Sequence, residues 1–387
     1  MSSDSSRLLD LLKDHSIAHQ VIQATPPDLG QAHIEPFPFL AIVGQQEMKL
    51  ALILALINPK VGGVLLIGSR GTAKTTAVQS LVDLLPMRKV SVCPEGCTEE
   101  KLEEEGMDGI CEECTKRVGY GEPLTVEERV RIFDLPLNAR LDDVVGGINE
   151  RLALEQQRVR LEKGILAQAD GNILYIDEVN LLEKNVTDAI LEAAARGSYT
   201  VRRGPQSMEY RSRFLLVGSM NPEEGELRPQ ILDRFGLRAL VRGLDSPEAR
   251  YRVYKRVIDY NANPESLSMA FADSTMALAD EIVQASQRLP DVSISDEARG
   301  LGLRLVKDLC IDSSRAEITL FEAAKAHCAS DERDSVTASD IEAVALLALR
   351  LRQSAALKTF YQQVDKQDSV IRTLLSRTGN EPGGMVT

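Results

Sequence analysis

Residues 68–76, GSRGTAKTT, place an ammonium and two hydroxyls at the end of a glycine-bearing turn. Gly68, Ser69, Arg70, Gly71, Thr72, Ala73, Lys74, Thr75 and Thr76 follow the G-x-x-x-x-G-K-[ST] pattern, except that Ala73 stands where the second glycine belongs. This spacing suits nucleotide phosphate. Backbone N–H groups at a helix N-terminus cradle the phosphates, Lys74 reaches the β and γ phosphates, and Thr75 offers a hydroxyl to magnesium. The competing reading is a chance glycine-rich turn.

Later elements weigh against chance. NILYIDEVN ends an apolar run in Asp177 and Glu178. Paired carboxylates at a strand end fit the carboxyl edge of an open α/β sheet, where such sheets bind ligands. Asp177 is the candidate to share magnesium with Thr75, and Glu178 to orient or deprotonate an attacking water. RFLLVGSMNPEEG delivers Asn221, whose amide could meet the γ-phosphate or the water, or simply form an Asn-Pro turn. LRPQILDRFGL presents Arg234, either an arginine given in trans to a phosphoryl group or a local partner of Asp233. Arg315, at the start of the helical pattern SSRAEITLFEAAKA, opposes the helix dipole. It therefore predicts a nearby anion, a role that bound phosphate would fill.

The elements that carry these residues are legible as periodic segments. Apolar runs at 63–68, 172–177 and 213–219 read as buried strands, and they alternate with helical patterns. That alternation predicts an α/β fold with a parallel sheet covered on both faces. From 246 helical patterns run in series over 247–260, 273–289, 295–310, 315–328 and 337–352, the last opened by a Thr337/Asp340 capping box. The expected organisation is an N-terminal helical extension and linker (1–35), an ATPase domain (36–245), an all-helical lid (246–355), and a C-terminal helix and tail (356–387).

Bulk properties narrow the setting. The 387 residues carry 45 Lys and Arg against 58 Asp and Glu, a net −13, which lowers the expectation of nucleic-acid binding. ALILALI (51–57) and AVALLAL (343–349) are too short for membrane spans and read as buried helix. The N-terminus lacks the charge and apolar pattern of a secretory signal. A soluble, cytoplasmic protein is expected, and in that compartment its six cysteines would not form structural disulfides.

Taken together, these motifs resemble the AAA+ ATPases, and among them the small ATPase subunits of magnesium chelatase. Three blocks carry the resemblance: AIVGQQEMKLALILALINPKVGGVLLIGSRGTAKT, ILYIDEVNLLEKNVTDAILEAA and FLLVGSMNPEEGELRPQILDRFGL. It covers about residues 36–350. It implies an AAA+ P-loop ATPase with a helical lid, using ATP and Mg2+. It also implies that Asn221 is sensor 1, Arg234 the arginine finger acting on a neighbour, and Arg315 the sensor-2 arginine. Segment 144–163 would be the helix-2 insertion, and 199–214 the hairpin before sensor 1. The implied assembly is a hexameric ring working with two partners, an AAA+ subunit bearing an integrin-like domain and a large porphyrin-binding subunit. The implied task is metal insertion into a porphyrin. Related AAA+ branches commonly carry alanine before the lysine, so Ala73 predicts no loss of nucleotide binding. A cobaltochelatase subunit, and a remodelling or DNA-acting ATPase of MoxR or MCM type, are the rival readings. Arg202, Arg203, Arg211 and Arg213 on the hairpin keep the last one open.

One segment departs from the resemblance. Within 93–114, Cys93, Cys97, Cys111 and Cys114 are spaced C-x3-C-x13-C-x2-C. Four thiols at this spacing suit structural zinc. An iron–sulfur cluster, a redox-active dithiol and free thiols are the other readings. Cys310 and Cys328 fall in helical patterns and are expected in the core.

Overall fold

The computed structural model describes residues 35–93, 96–147, 162–203, 206–225 and 227–353, together with Lys366 and Ser369. The N-terminal extension up to residue 34, the body of the 144–163 insertion and the C-terminal tail lie outside the described residues.

The strands are β1 (Val64–Ile67), β2 (Met87–Ser91), β3 (Thr125–Arg129), β4 (Ile132–Leu135), β5 (Ile173–Ile176), β6 (Ser198–Arg203), β7 (Gln206–Arg211), β8 (Leu215–Met220) and β9 (Leu237–Leu240). A parallel sheet runs in the order β4-β5-β8-β1-β9. Its central strands are buried along their whole length, which is why VLLI, ILYI and LLVGSM show no polar alternation. The pleat still sorts their side chains. Val64 and Leu66 join the core on one face, while Leu65 and Ile67 join the core on the other. The three expected strands are β5, β8 and β1. Two more, β4 and β9, are hidden in the sequence because Asp134 and Arg238 interrupt their apolar character.

Two antiparallel pairs stand apart from this sheet. β2 pairs with β3 at the base of the cysteine-bearing lobe. β6 pairs with β7 as the hairpin that precedes β8.

The helices of six or more residues in this half are α1 (Gln46–Ile57), α2 (Lys74–Gln79), α3 (Glu99–Glu105), α4 (Glu112–Gly119) and α5 (Lys184–Arg196). α1 is apolar nearly all round and is accordingly enclosed by the sheet and the later helices. The helical series follows as α6 (Pro247–Ala262), α7 (Pro264–Arg288), α8 (Asp296–Asp308), α9 (Arg315–Ser330) and α10 (Ala338–Leu349). α7 begins at Pro264 rather than 273, because Asn263 caps it through the Ser266 amide and Pro264 occupies a position that needs no N–H. The Thr337/Asp340 capping box is present at α10.

This half is not purely helical. β10 (Ser293–Ile294) and β11 (Ser335–Val336) form a two-residue parallel pair. Cys328 is buried as expected, but Cys310 is exposed. Cys310 lies past the end of α8 in a left-handed turn, φ +52°, so it never joins the helix face that packs. Leu267, Phe271, Leu320 and Ile341 share one continuous core with Val64 and Leu66, which seats the helices on one face of the sheet.

Candidate active site

The loop after β1 turns where the chain has no room for a side chain. A Cβ at Gly68 would fall 2.0 Å from the Val241 carbonyl oxygen. α2 then starts at Lys74, and the loop opens into a cleft of about 220 Å³ lined by Arg70–Thr76, Asp177, Glu178 and Asn221. Lys74 Nζ donates to the carbonyls of Gly68 (2.7 Å) and Ser69 (2.8 Å). Burial draws its pKa below the usual value, while the charges of Asp177 and Glu178 act in the opposite sense.

β5 and β8 carry the acids. Thr75 Oγ1 donates to Asp177 Oδ2 at 3.2 Å, so the expected magnesium pair is assembled. The Tyr175 hydroxyl lies 3.1 Å from Thr75 Oγ1 and 3.0 Å from Asp177 Oδ1. Ser219 donates to Asp177 Oδ1, and its Oγ accepts from the Glu178 amide at 3.1 Å. Tyr175 and Ser219 thus hold the acids in place. Sequence reasoning passed over both, since each sits inside a buried strand with only its residue type as a signal. Hydroxyl and carboxylate oxygens are the donor set a hard divalent cation takes, so these residues fit magnesium.

Glu178 adopts φ +51°. Its carboxylate meets Arg70 at 3.3 Å, and Arg70 also pairs with Glu224 at 2.6 Å. Asn221 is buried at the end of β8, and its Oδ1 accepts from the Glu223 amide at 3.3 Å. Asn221 thus caps the turn expected of an Asn-Pro pair, and it also lines the cleft.

Next to this cleft lies a larger one of about 890 Å³, sharing Gly71, Thr72, Ala73 and Thr76 with it. Phe37, Ile42, Val253, Val257 and Tyr260 line it, together with Gln45 and Asn261. An apolar slot with a few amides beside a phosphate loop has the character of a base and ribose pocket. Ile42 and Gln45 of the segment AIVGQQ line it, and sequence reasoning gave them no role.

Arg234 and Arg315 are elsewhere. Gly236, just before β9, donates its amide to the Gly62 carbonyl at the start of β1, which puts Arg234 at the amino edge of the sheet. Arg315 joins it there, donating to Asp233 Oδ2 at 2.9 Å. Both line a pocket of about 320 Å³ with Gly62 and Gly63. The phosphate loop sits at the opposite end of β1, roughly 15 Å away along the strand. The anion that offsets Arg315 at its helix start is thus Asp233. Asp233 is also 3.7 Å from Arg352. The Arg234 amide donates to the Ile231 carbonyl at 3.0 Å, while its side chain makes no ion pair or hydrogen bond among the described residues. Burial and the adjacent Arg315 charge lower the Arg234 pKa, and Asp233 only partly opposes them.

Comparison with known proteins places this architecture. A family model described as magnesium chelatase, subunit ChlI, matches residues 150–229, and an AAA lid domain model matches 307–371. The magnesium-chelatase subunit ChlI homolog of Methanocaldococcus jannaschii is 44% identical over 314 residues, 81% of this chain and 84% of that relative. The chain belongs to the magnesium-chelatase ChlI family. The Synechocystis subunit ChlI is 43% identical over 82% of this chain and 88% of its own length. A crystal structure from Cytophaga hutchinsonii shares the fold, with TM-score 0.51 and 20% identity over 84% of this chain and 89% of that one. As a ChlI-family chain, this protein is an AAA+ ATPase, a class that uses ATP and magnesium. Among the described residues no helix is long and apolar enough to cross a membrane.

This ChlI-family chain also assembles its four clustered cysteines. One ligand atom from each of Cys93, Cys97, Cys111 and Cys114 lies within 4.8 Å of the others, and all four thiols are free. The Cys97 amide donates to Cys93 Sγ (3.4 Å), and the Cys111 amide to Cys97 Sγ (3.3 Å). Ser91 Oγ lies 3.4 Å from Cys93 Sγ.

Proposed function

We propose that this chain is the ATP-hydrolysing motor subunit of a magnesium chelatase, driving metal insertion into a porphyrin. Its membership of the ChlI family supports the reading, and the two edges of the sheet supply its mechanism. The proposed phosphate-binding residues occupy one edge, and Arg234, whose side chain makes no ion pair or hydrogen bond among the described residues, occupies the other. One chain cannot bring both to the same phosphate, so a second copy is needed. A head-to-tail contact between copies forms a ring when its rotation closes. A hexamer is the proposed form.

In this reading ATP lies between two copies. Lys74 and the loop amides would hold its phosphates, and Thr75 with Asp177 would hold magnesium, which would supply positive charge against the phosphates. Glu178 takes the proton of the attacking water. Asn221 orients that water or a γ oxygen through its amide nitrogen. Arg234 and Arg315 of the adjacent copy offset charge developing on the transferred group. An incoming phosphate would relieve the unfavourable surroundings of Arg234. We place the boundary between the ATPase part and the lid near residue 246. α6 begins there and lines the base pocket, so a change of nucleotide reaches the lid through it.

The proposed partners are an AAA+ subunit with an integrin-like domain and a large porphyrin-binding subunit. A resident zinc ion on Cys93, Cys97, Cys111 and Cys114 completes the proposed cofactors. The mutual approach of the four sulfurs and the amide donors aimed at two of them support it.

Glu178→Gln tests the reading. It should bind ATP and assemble while turnover falls about a hundredfold or more. Captured on ATP from native extract, it should bring down both partner subunits. Undiminished turnover would remove Glu178 from its role, and capture without a porphyrin-binding subunit would overturn the chelatase assignment.

A further inference from the structure

The lobe between β2 and β3 is poorly equipped to hold itself together. Its buried cluster consists of Cys93, Cys97, Cys114, Ile110 and Leu124. Three of these five are cysteines, and so small a core does not ordinarily sustain a fold without a staple. The lobe does have deliberate fastenings. Glu99 Oε1, at the start of α3, accepts from the amides of Leu124 (2.8 Å) and Thr125 (3.1 Å).

Its attachment to the rest of the chain is specific. Arg88 of β2 donates to the Asp170 carbonyl at 2.7 Å and lies over Gly171, where an added methyl group would come within 2.1 Å of Arg88 Nη1. Arg211, the last residue of β7, presses on Gly96, where an added methyl group would come within 2.2 Å of its Nη2. Gly96 has φ +72° and lies inside the turn that joins two of the thiols. Its amide donates to the Cys93 carbonyl at 3.2 Å. Asp170 links both contacts, because its carboxylate is 3.8 Å from Arg211 Nε and accepts from the Arg213 amide at 2.9 Å.

We infer that the metal-closed lobe is a strut for the β6–β7 hairpin, with Arg211 as the countercharge to the metal centre. This inference rests on the zinc reading of the four thiols. Four thiolates around Zn2+ leave two net negative charges, and the Glu-rich α3 adds more of the same sign. Arg211 brings a guanidinium to the Cys93–Cys97 turn, which carries two of the four ligands, and it is also the root of the hairpin. Filling the site therefore fixes the turn, the turn seats Arg211, and Arg211 fixes the hairpin base.

The experiment uses the full-length chain. Zinc is measured by plasma emission, its affinity by competition with a chromophoric chelator, and backbone opening by hydrogen exchange over 87–129 and 198–211. The expected result is one zinc per chain, with stripping of zinc speeding exchange in both segments. Arg211→Ala touches no ligand. It should keep the zinc, weaken its affinity about tenfold and speed exchange in 198–211. It remains decisive even where Cys114→Ser fails to fold. Hairpin exchange that ignores zinc removal, while the lobe opens, overturns the strut and leaves the zinc reading standing. Wild-type zinc affinity and wild-type hairpin exchange in Arg211→Ala overturn it as well. Fresh protein that holds no zinc and takes none up overturns the zinc reading itself.

Discussion

Ala73 adopts φ +66° and ψ +25°, a glycine's conformation, while bearing a methyl group. Glu178 and Gln45 share this left-handed region at +51° and +54°, and all three border the two adjoining clefts. A left-handed L-residue costs about 1 kcal/mol or more. Strain of this kind collects at functional sites, where surrounding structure enforces it. Ala73→Gly should therefore raise the free energy of unfolding by about 1 kcal/mol, checked by urea titration, and leave nucleotide binding intact. A lower midpoint would mean that the loop does not hold Ala73 under strain. The sequence revealed the replaced glycine but not its backbone angle, because the angle is set by the Gly68 crossing under Val241 and by the start of α2. Lys74, Thr75, Asp177 and Asn221 were legible because their chemistry follows from side-chain type at the end of an apolar run. Glu224 and its bond to Arg70 were not, since a surface acid in NPEEG looks like any solvated charge until a loop from elsewhere meets it.

Among elements, the α9–α10 junction is held by charge as much as by packing. Asp340, fully buried, lies 2.7 Å from His327 Nδ1 and accepts from Arg333 at 2.8 Å and from the Thr337 amide at 2.8 Å. Burial would raise its pKa, but these bonds from His327, Arg333 and Thr337 outweigh it and hold the carboxyl well below the usual range. A carboxylate lowered in this way stabilises the fold fully above its unfolded value, about 4, and loses that contribution as pH falls below it. Thermal melts between pH 7 and pH 3 should show this loss. Asp340→Asn should cost about 3 kcal/mol at neutral pH and flatten that part of the profile. Equal acid sensitivity in both proteins would remove Asp340 from the account. The capping box foretold half of this arrangement, since it depends on residues three apart. His327 and Arg333 come from a neighbouring helix and turn, which no local pattern reports. The same limit explains β4 and β9, where one charged residue in four masks a strand whose partners lie far along the chain.

At the scale of the whole molecule, the separation of Arg234 from Lys74 makes a direct demand on assembly. Lys74→Ala and Arg234→Ala should each abolish turnover alone. Mixed in equal amounts, they should recover up to about a quarter of wild-type activity, because that fraction of head-to-tail contacts joins two intact edges. No recovery on mixing, with assembly verified, would place Arg234 outside the site of its neighbour. The opposition of the two edges could not be read from order along the chain. Arg234 lies close in sequence to Asn221, but β8 runs toward the carboxyl edge, and the chain returns to the amino edge before β9.

That return has a consequence for abundance. If every working site is shared between copies, hydrolysis depends on encounters and rises more steeply than protein concentration. A dilute pool would leave ATP almost untouched, and the motor would switch on only where synthesis had raised its own concentration enough to assemble it.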